Sequence, residues 1–200
     1  LSLNEAIEIG VRQNPELLQS AENINAAKGR FWKGISLPQP ELELSLEYAP
    51  VNTSLSNYSE RTFAISQSFE FPTNYFLKGN KYTKEEEIAF EQYLLKKYEL
   101  VKQIKSAYFK VLADQSIVKY SEENLIISDD FYKKAQIRYN VGEGTNLEEL
   151  TAKVQLSEAK NKIGIAKNNL NTSLAELNYV LGYGNQNKTS SLLLTDSLKY

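Results

Sequence analysis

Cysteine, histidine and methionine are all absent from this chain of 200 residues. Disulfides, thiol nucleophiles, imidazole bases and every soft metal ligand go with them, leaving carboxylates, lysine, tyrosine and serine for any bond chemistry. Neither a Gly-rich phosphate loop nor a nucleophile elbow is present. The expectation is a protein that is not an enzyme, with no catalytic, cofactor-binding or metal-binding residues and no cofactor. The lack of cysteine agrees with an oxidising compartment. Only nine Gly and five Pro punctuate the sequence, so turns are few, the elements are long and the molecule is elongated. Charge of one sign is missing too: Lys plus Arg number 23 against 25 Asp plus Glu. Without a basic field, nucleic acid is not an expected partner. No run approaches the roughly 20 apolar residues of a spanning helix. The chain opens at Leu1 with neither an initiator Met nor a signal-like apolar core, and reads as an excised or processed segment.

What the sequence does contain is mostly helical periodicity. Ser2 with Glu5 is a capping-box pattern, and Ala6, Ile7, Ile9 and Val11 give a short amphipathic helix ending near Gln13. Asn14-Pro15 restarts it, with Asn as cap and Pro in the first helical position. The second helix should run to about Trp32 and turn Leu17, Leu18, Ala21, Ile24 and Ala27 toward a partner. Pro38 and Pro40 end this helical part, residues 1–35.

From Glu41 the period changes to two. Leu42, Leu44, Leu46 and Tyr48 share one face, and Glu41, Glu43, Ser45 and Glu47 the other. After a turn-like stretch at 50–57, Phe63, Ile65, Phe69 and Phe71 repeat the pattern, interrupted by Gln67, with Thr62, Ala64, Ser66, Ser68 and Glu70 opposite. Residues 38–72 are thus expected to form a hairpin of strands about ten residues long, the length of a tilted transmembrane strand.

Beyond Pro72 a single long helix is expected at 76–140, about 100 Å at 1.5 Å per residue. In it Val101, Ile104, Tyr108, Val111, Gln115, Val118, Glu122 and Leu125 follow the steps of a coiled coil. VGEGTN (141–146) is a turn, and a return helix at 147–183 carries Ala152, Leu156, Ala159, Ile163, Ala166, Leu170, Leu174, Leu177 and Leu181 at similar spacing. The two helices should pair antiparallel. Gly182 and Gly184 close the second, and 184–200 reads as a polar tail with an apolar patch at Leu192 to Leu194. The fold class is therefore mainly α, a long coiled-coil-like helical hairpin plus two transmembrane-type strands. A two-stranded hairpin with one greasy face is not stable alone in water and must be shared with other chains or another repeat.

This order of motifs resembles one repeat of the TolC-like outer-membrane efflux family. LSLNEAIEIGVRQNPEL (1–17) resembles the family's opening, LPQPELELSLEY (37–48) its first strand, ISQSFEFP (65–72) its second, and RYNVGEGTNLEEL (138–150) its turn between long helices. SQSFEFP resembles the heavy-metal and cation branch, while Thr73-Asn74-Tyr75 departs from it and is similar to modules fused to resistance-nodulation-division pumps. The resemblance implies two repeats per subunit, a trimer, a shared outer-membrane barrel and a periplasmic helical tunnel. It further implies a periplasmic adaptor protein, an inner-membrane resistance-nodulation-division pump and outer-membrane lipid as partners.

On that resemblance the strand face with Leu42 and Phe63 meets lipid, and Glu41, Glu43, Glu47 and Glu70 face the lumen, where carboxylate rings concentrate cations. They serve equally to keep the strands amphipathic. The turn is the periplasmic tip, with Arg138, Tyr139, Val141, Gly142 and Gly144 as docking candidates; the plainer reading is a glycine-terminated helix with a cation in its last turn. Glu85-Glu86-Glu87 reads as a solvated helix face, Glu148 and Glu149 as complements to the helix dipole, and Phe31, Trp32, Tyr75 and Phe76 as bilayer-interface aromatics or core. The alternative function is a periplasmic coiled-coil adaptor or interaction module without its own pore, which leaves the lipid-like strand face unexplained. A pore-forming toxin shares the pattern and would differ by lysing membranes.

Overall fold

The computed structural model describes residues 1–47 and 60–183. The turn expected at 50–57, Tyr48, Gly184 and the tail at 184–200 lie outside them, as do the side chains of Leu46 and Glu47. The elements are α1 (Leu3–Gln13), α2 (Pro15–Ile35), β1 (Glu41–Glu47), β2 (Glu60–Ser66), α3 (Pro72–Asn140) and α4 (Asn146–Leu181). The fold is mainly α with one antiparallel β-hairpin. It divides into two compact units, Leu1–Ser20 with Tyr93–Tyr200, and Ala21–Gln92.

The first unit is built on local signals that the sequence carries openly. Ser2 Oγ accepts from the Glu5 amide and the Glu5 carboxylate accepts from the Ser2 amide at 2.8 Å, completing the capping box. At the α1–α2 joint, Asn14 Oδ1 accepts from the amides of Glu16 and Leu17 at 3.0 and 3.1 Å. Asn14 Nδ2 donates to the Val180 carbonyl at 3.0 Å, tying the joint to the end of α4. There Gly182 takes a left-handed φ of 86°, and a Cβ on it would lie 2.8 Å from the Gln13 carbonyl oxygen. Only glycine satisfies both the dihedral and the approach.

The core of this unit gathers Ala6, Leu17, Leu100, Ile104, Tyr108, Val111, Leu177 and Leu181, all buried. Ile104, Leu177 and Leu181 are fully enclosed, which stabilises the fold by about 1.5–3 kcal/mol each relative to exposure. Tyr108 is enclosed too, and its hydroxyl donates to the Leu1 carbonyl at 3.0 Å. The antiparallel course of α3 and α4 is fixed by two ion pairs. As the α3 partner advances from Lys110 to Glu122, the α4 partner recedes from Glu176 to Lys167. On α4, Ala152, Ala159, Ala166 and Ser173 recur every seven residues and are buried, alternating with Leu156, Ile163, Leu170 and Leu177. This is a coiled-coil seam whose small members let the helices come close. The α3 side of the seam is complete only to Leu112; Gln115, Val118 and Leu125 are half-buried, and Glu122 is exposed and paired with Lys167.

One residue of the expected packing face is corrected. Leu18 is 48% exposed and Ser20 is buried in its place, because positions 17, 20, 21, 24 and 27 follow the helical step whereas 18 falls on the flank.

In the second unit, Ala27 on α2 and Ala89 on α3 are both buried. Gly34 lies against the Tyr82 ring so closely that no Cβ would fit. The Glu85–Glu87 run is not simply solvated: Glu85 pairs with Arg30 and Glu86 with Lys28 across the helices, while Glu87 pairs with Lys84. Such partly exposed pairs contribute about 0–1 kcal/mol each and set register more than stability. The strands pair from Glu41↔Ser66 to Glu47↔Glu60. Pairing therefore stops at Ser66, and Phe69 and Phe71 belong to the connection into α3, not to a ten-residue strand.

Candidate functional site

Two surfaces carry the residues singled out from the sequence, the hairpin and the α3–α4 turn. In the hairpin, a period of two and the observed register together decide which side chains share a face. Leu42 stands opposite Ile65 and Leu44 opposite Phe63. All four are 62–69% exposed, an apolar stripe uncovered by protein among the described residues. The other face pairs Glu41 with Ser66, Glu43 with Ala64 and Ser45 with Thr62. Glu47 pairs with Glu60 in the same register, so Glu60 joins the acidic set that the sequence alone did not assign to it. The signal was there, since Glu60 is an even step from Thr62, Ala64 and Ser66, but it adjoined a stretch read as turn. Arg61, opposite Leu46, is at the loop end of the apolar side.

Glu70 stands apart from Glu41 and Glu43. It lies beyond the paired strands, half-buried, with its carboxylate in an ion pair with Lys78. Its amide donates to the Tyr75 hydroxyl at 3.4 Å. Gln67, which broke the apolar alternation, donates from Nε2 to the Pro38 carbonyl at 3.0 Å. The interruption in the sequence is thus a clasp between the two legs of the hairpin, where a polar side chain replaces the ladder that has just ended.

At the turn, α3 ends in a tight reversal. Gly142 has φ 81°, and its amide donates to the Tyr139 carbonyl at 3.0 Å. The amides of Glu143 and Gly144 both donate to the Arg138 carbonyl, at 2.9 and 3.0 Å. The Arg138 guanidinium donates back to the Glu143 carbonyl at 3.3 Å. Gly144 sits close against Arg138 and Tyr139, with a would-be Cβ 3.2 Å from the Tyr139 nitrogen. Thr145 then caps α4: its hydroxyl accepts from the Glu148 amide at 3.2 Å, and Glu148 accepts from the Thr145 amide at 3.1 Å. Glu148 is a capping-box residue, more specific than a general complement to the dipole.

The five turn residues therefore divide into two kinds. Arg138, Gly142 and Gly144 shape the reversal from within, whereas Tyr139 and Val141 stand outward, 42% and 65% exposed. Ile137, Leu147 and Leu150 extend this outward apolar surface at 55–73% exposure. Sequence reading passed over these three because a helical period does not say which stripe remains uncovered. Among the described residues no acidic, His or Cys cluster could hold a metal ion, and no helix is long and apolar enough to cross a membrane.

The family model for outer membrane efflux proteins matches residues 8–183. No curated protein matches the sequence. Among solved structures, a membrane protein from Pseudomonas aeruginosa superposes with a TM-score of 0.77 at 14% identity, over 99% of this chain and 48% of its own. The outer membrane protein VceC from Vibrio cholerae gives 0.76 at 15% identity, over 99% of this chain and 51% of its own. The CmeC outer membrane channel of Campylobacter jejuni gives 0.73 at 14% identity, over 90% and 40%. At these identities the likeness is one of fold. The chain spans about half the length of the first two structures.

Proposed function

The chain belongs to the outer membrane efflux protein family, and from that premise we propose that it supplies one repeat of an outer-membrane export channel. The observation that carries this reading is the hairpin: an uncovered apolar stripe of Leu42, Leu44, Phe63 and Ile65 backs a face bearing Glu41 and Glu43. Such a pair of strands has open edges and one greasy side, and it becomes stable when further strands close a barrel within lipid. The apolar stripe meets the bilayer and the acidic face lines the lumen. α3 and α4 continue the wall as part of a periplasmic tunnel.

Transport here needs no bond chemistry. Carboxylates at Glu41, Glu43, Glu47 and Glu60 raise the local concentration of cations and oppose anions, and Glu70, neutralised by Lys78, adds little to that field. The cargo is cationic, a metal ion or a small toxic compound, and the chain acts as conduit without a specific binding site for it. The assembly is a trimer of two-repeat subunits. The turn, through Tyr139 and Val141, docks a periplasmic adaptor that links the channel to an inner-membrane resistance-nodulation-division pump in a tripartite system.

Planar-bilayer conductance tests this. Reconstituted together with the second repeat that completes its subunit, the chain is expected to give a cation-selective conductance whose reversal potential under a salt gradient moves toward zero when Glu41 and Glu43 are both changed to Gln. Selectivity indifferent to those changes would remove the carboxylates from the mechanism. Binding to an adaptor with no conductance at all would return the chain to the interaction-module reading.

A further inference from the structure

The second unit holds a groove of about 660 Å³ that the channel reading does not use. Its apolar wall is Phe31, Ile35, Leu37 and Phe76, with Leu37 and Phe76 58% and 71% exposed. Asn80 and Thr83 bring polar groups to it from the next turn of α3. An apolar channel with a few polar groups at one end is the composition of a ligand site.

Gly79 also lies on the groove. Glycine inside a helix costs about 0.5–1 kcal/mol relative to alanine, and here neither a left-handed dihedral nor a crowded neighbour requires it. A Cβ at Gly79 would meet nothing within 4 Å. Gly29 and Gly164 are equally open, so what Gly79 offers is a position on the groove where a larger side chain can be added without a clash.

The groove also continues a surface already described. Phe69 and Phe71, 69% and 70% exposed, extend the apolar character of Phe63 and Ile65 toward α3, and Phe76 follows one turn into that helix. Asn80 and Thr83 come later along α3, on the side away from the strands. An amphiphile seated in this direction keeps its hydrocarbon toward the strands and its ester groups beside the Asn80 amide, which donates to carbonyl oxygens.

We propose that this groove takes one acyl chain of a bilayer phospholipid from the periplasm-facing leaflet, an inference that rests on the apolar strand face meeting lipid. The bound lipid replaces water on four apolar side chains and anchors the start of α3 at the membrane boundary, where aromatic residues such as the neighbouring Trp32 are favoured.

Trp32 is the only tryptophan, so single-tryptophan variants report separately on the two surfaces. In a Trp32→Phe background, Phe63→Trp places the probe on the strand face and Phe76→Trp places it in the groove. The full chain is reconstituted in phosphatidylethanolamine and phosphatidylglycerol vesicles whose acyl chains carry bromine, which quenches tryptophan only near contact. Both probes are expected to lose emission. Adding Gly79→Leu, which fills the groove without a clash, should restore emission from the Phe76→Trp probe alone, with circular dichroism confirming unchanged helicity.

Quenching at position 63 but not at 76 would overturn the groove proposal while leaving the strand face in lipid. No quenching at either position would overturn the strand reading and the groove with it. Quenching at 76 that ignores Gly79→Leu would mean bulk lipid contact, and a blue-shifted, unquenched probe at 76 would mean that a second copy of the chain fills the groove; either result overturns the proposal.

Discussion

Asn14 joins three parts of the chain with one side chain, capping α2 through Oδ1 and holding the end of α4 through Nδ2. Half of that role is legible in the dipeptide Asn-Pro, because capping is local; the bond to Val180, far along the chain, is not. Asn14→Ala should therefore cost about 2 kcal/mol, the upper end of the range for a lost cap, read as a lower denaturation midpoint with an unchanged m-value. Lys110 shows the opposite case, a surface cation whose partner only folding supplies. Its hydrogen bond to Glu176 at 2.6 Å, then the charge of that carboxylate, raises its pKa above the ordinary 10.5. A raised lysine pKa stabilises the fold below the unfolded value, and the benefit is lost as pH rises through the folded one. Wild type and Lys110→Gln are thus expected to show a constant stability difference from neutral to mildly alkaline pH, converging only in strong alkali, as followed by thermal melts against pH.

Among the elements, α4 was the most readable. Its seam residues lie where the heptad spacing puts them except at Leu174, which is half-buried beside the buried Ser173, since a stripe repeated from Ala152 to Leu181 leaves a helix one way to pack. What spacing did not reveal is the division of labour in the seam, with Ala152, Ala159, Ala166 and Ser173 as the small members. Ala159 is 2% exposed, so Ala159→Leu forces extra volume between closely packed helices and should destabilise by roughly 1–3 kcal/mol, measured by chemical denaturation. Val154→Leu, at a position 50% exposed on another face, serves as the control and should be nearly neutral. The strands were less readable. Alternation resumes at Phe69 and Phe71 after the interruption at Gln67, yet pairing ends at Ser66, because β1 offers no partner beyond Glu41 and Gln67 turns to the Pro38 carbonyl.

At the scale of the whole molecule, two exposed apolar surfaces stand out, the strand stripe and the turn; in the proposed channel the first meets lipid and further strands and the second a partner protein. Val141 is the clean probe of the second. It is 65% exposed, and it enters the hydrogen bonds of the reversal only through its amide, which donates to the Ile137 carbonyl, whereas any side chain at Gly142 strains a backbone with φ 81°, at about 1–2 kcal/mol. Val141→Asp is expected to weaken adaptor affinity at least tenfold, about 1.4 kcal/mol, by surface plasmon resonance with unchanged helicity. Unaltered affinity would take the turn out of the docking surface.

The sequence by itself determined the elements, their caps and their faces: these rest on contacts within a few residues, on a period of two or of seven, and on glycine or proline at fixed positions. It likewise carried the order of motifs that marks the family. Tertiary structure alone decided that Glu70 is spent on Lys78, that Glu85 and Glu86 clasp α2, and that Asn14 holds the end of α4. Each of these depends on which distant segment arrives beside a residue, and periodicity fixes a residue's direction without naming what it will meet.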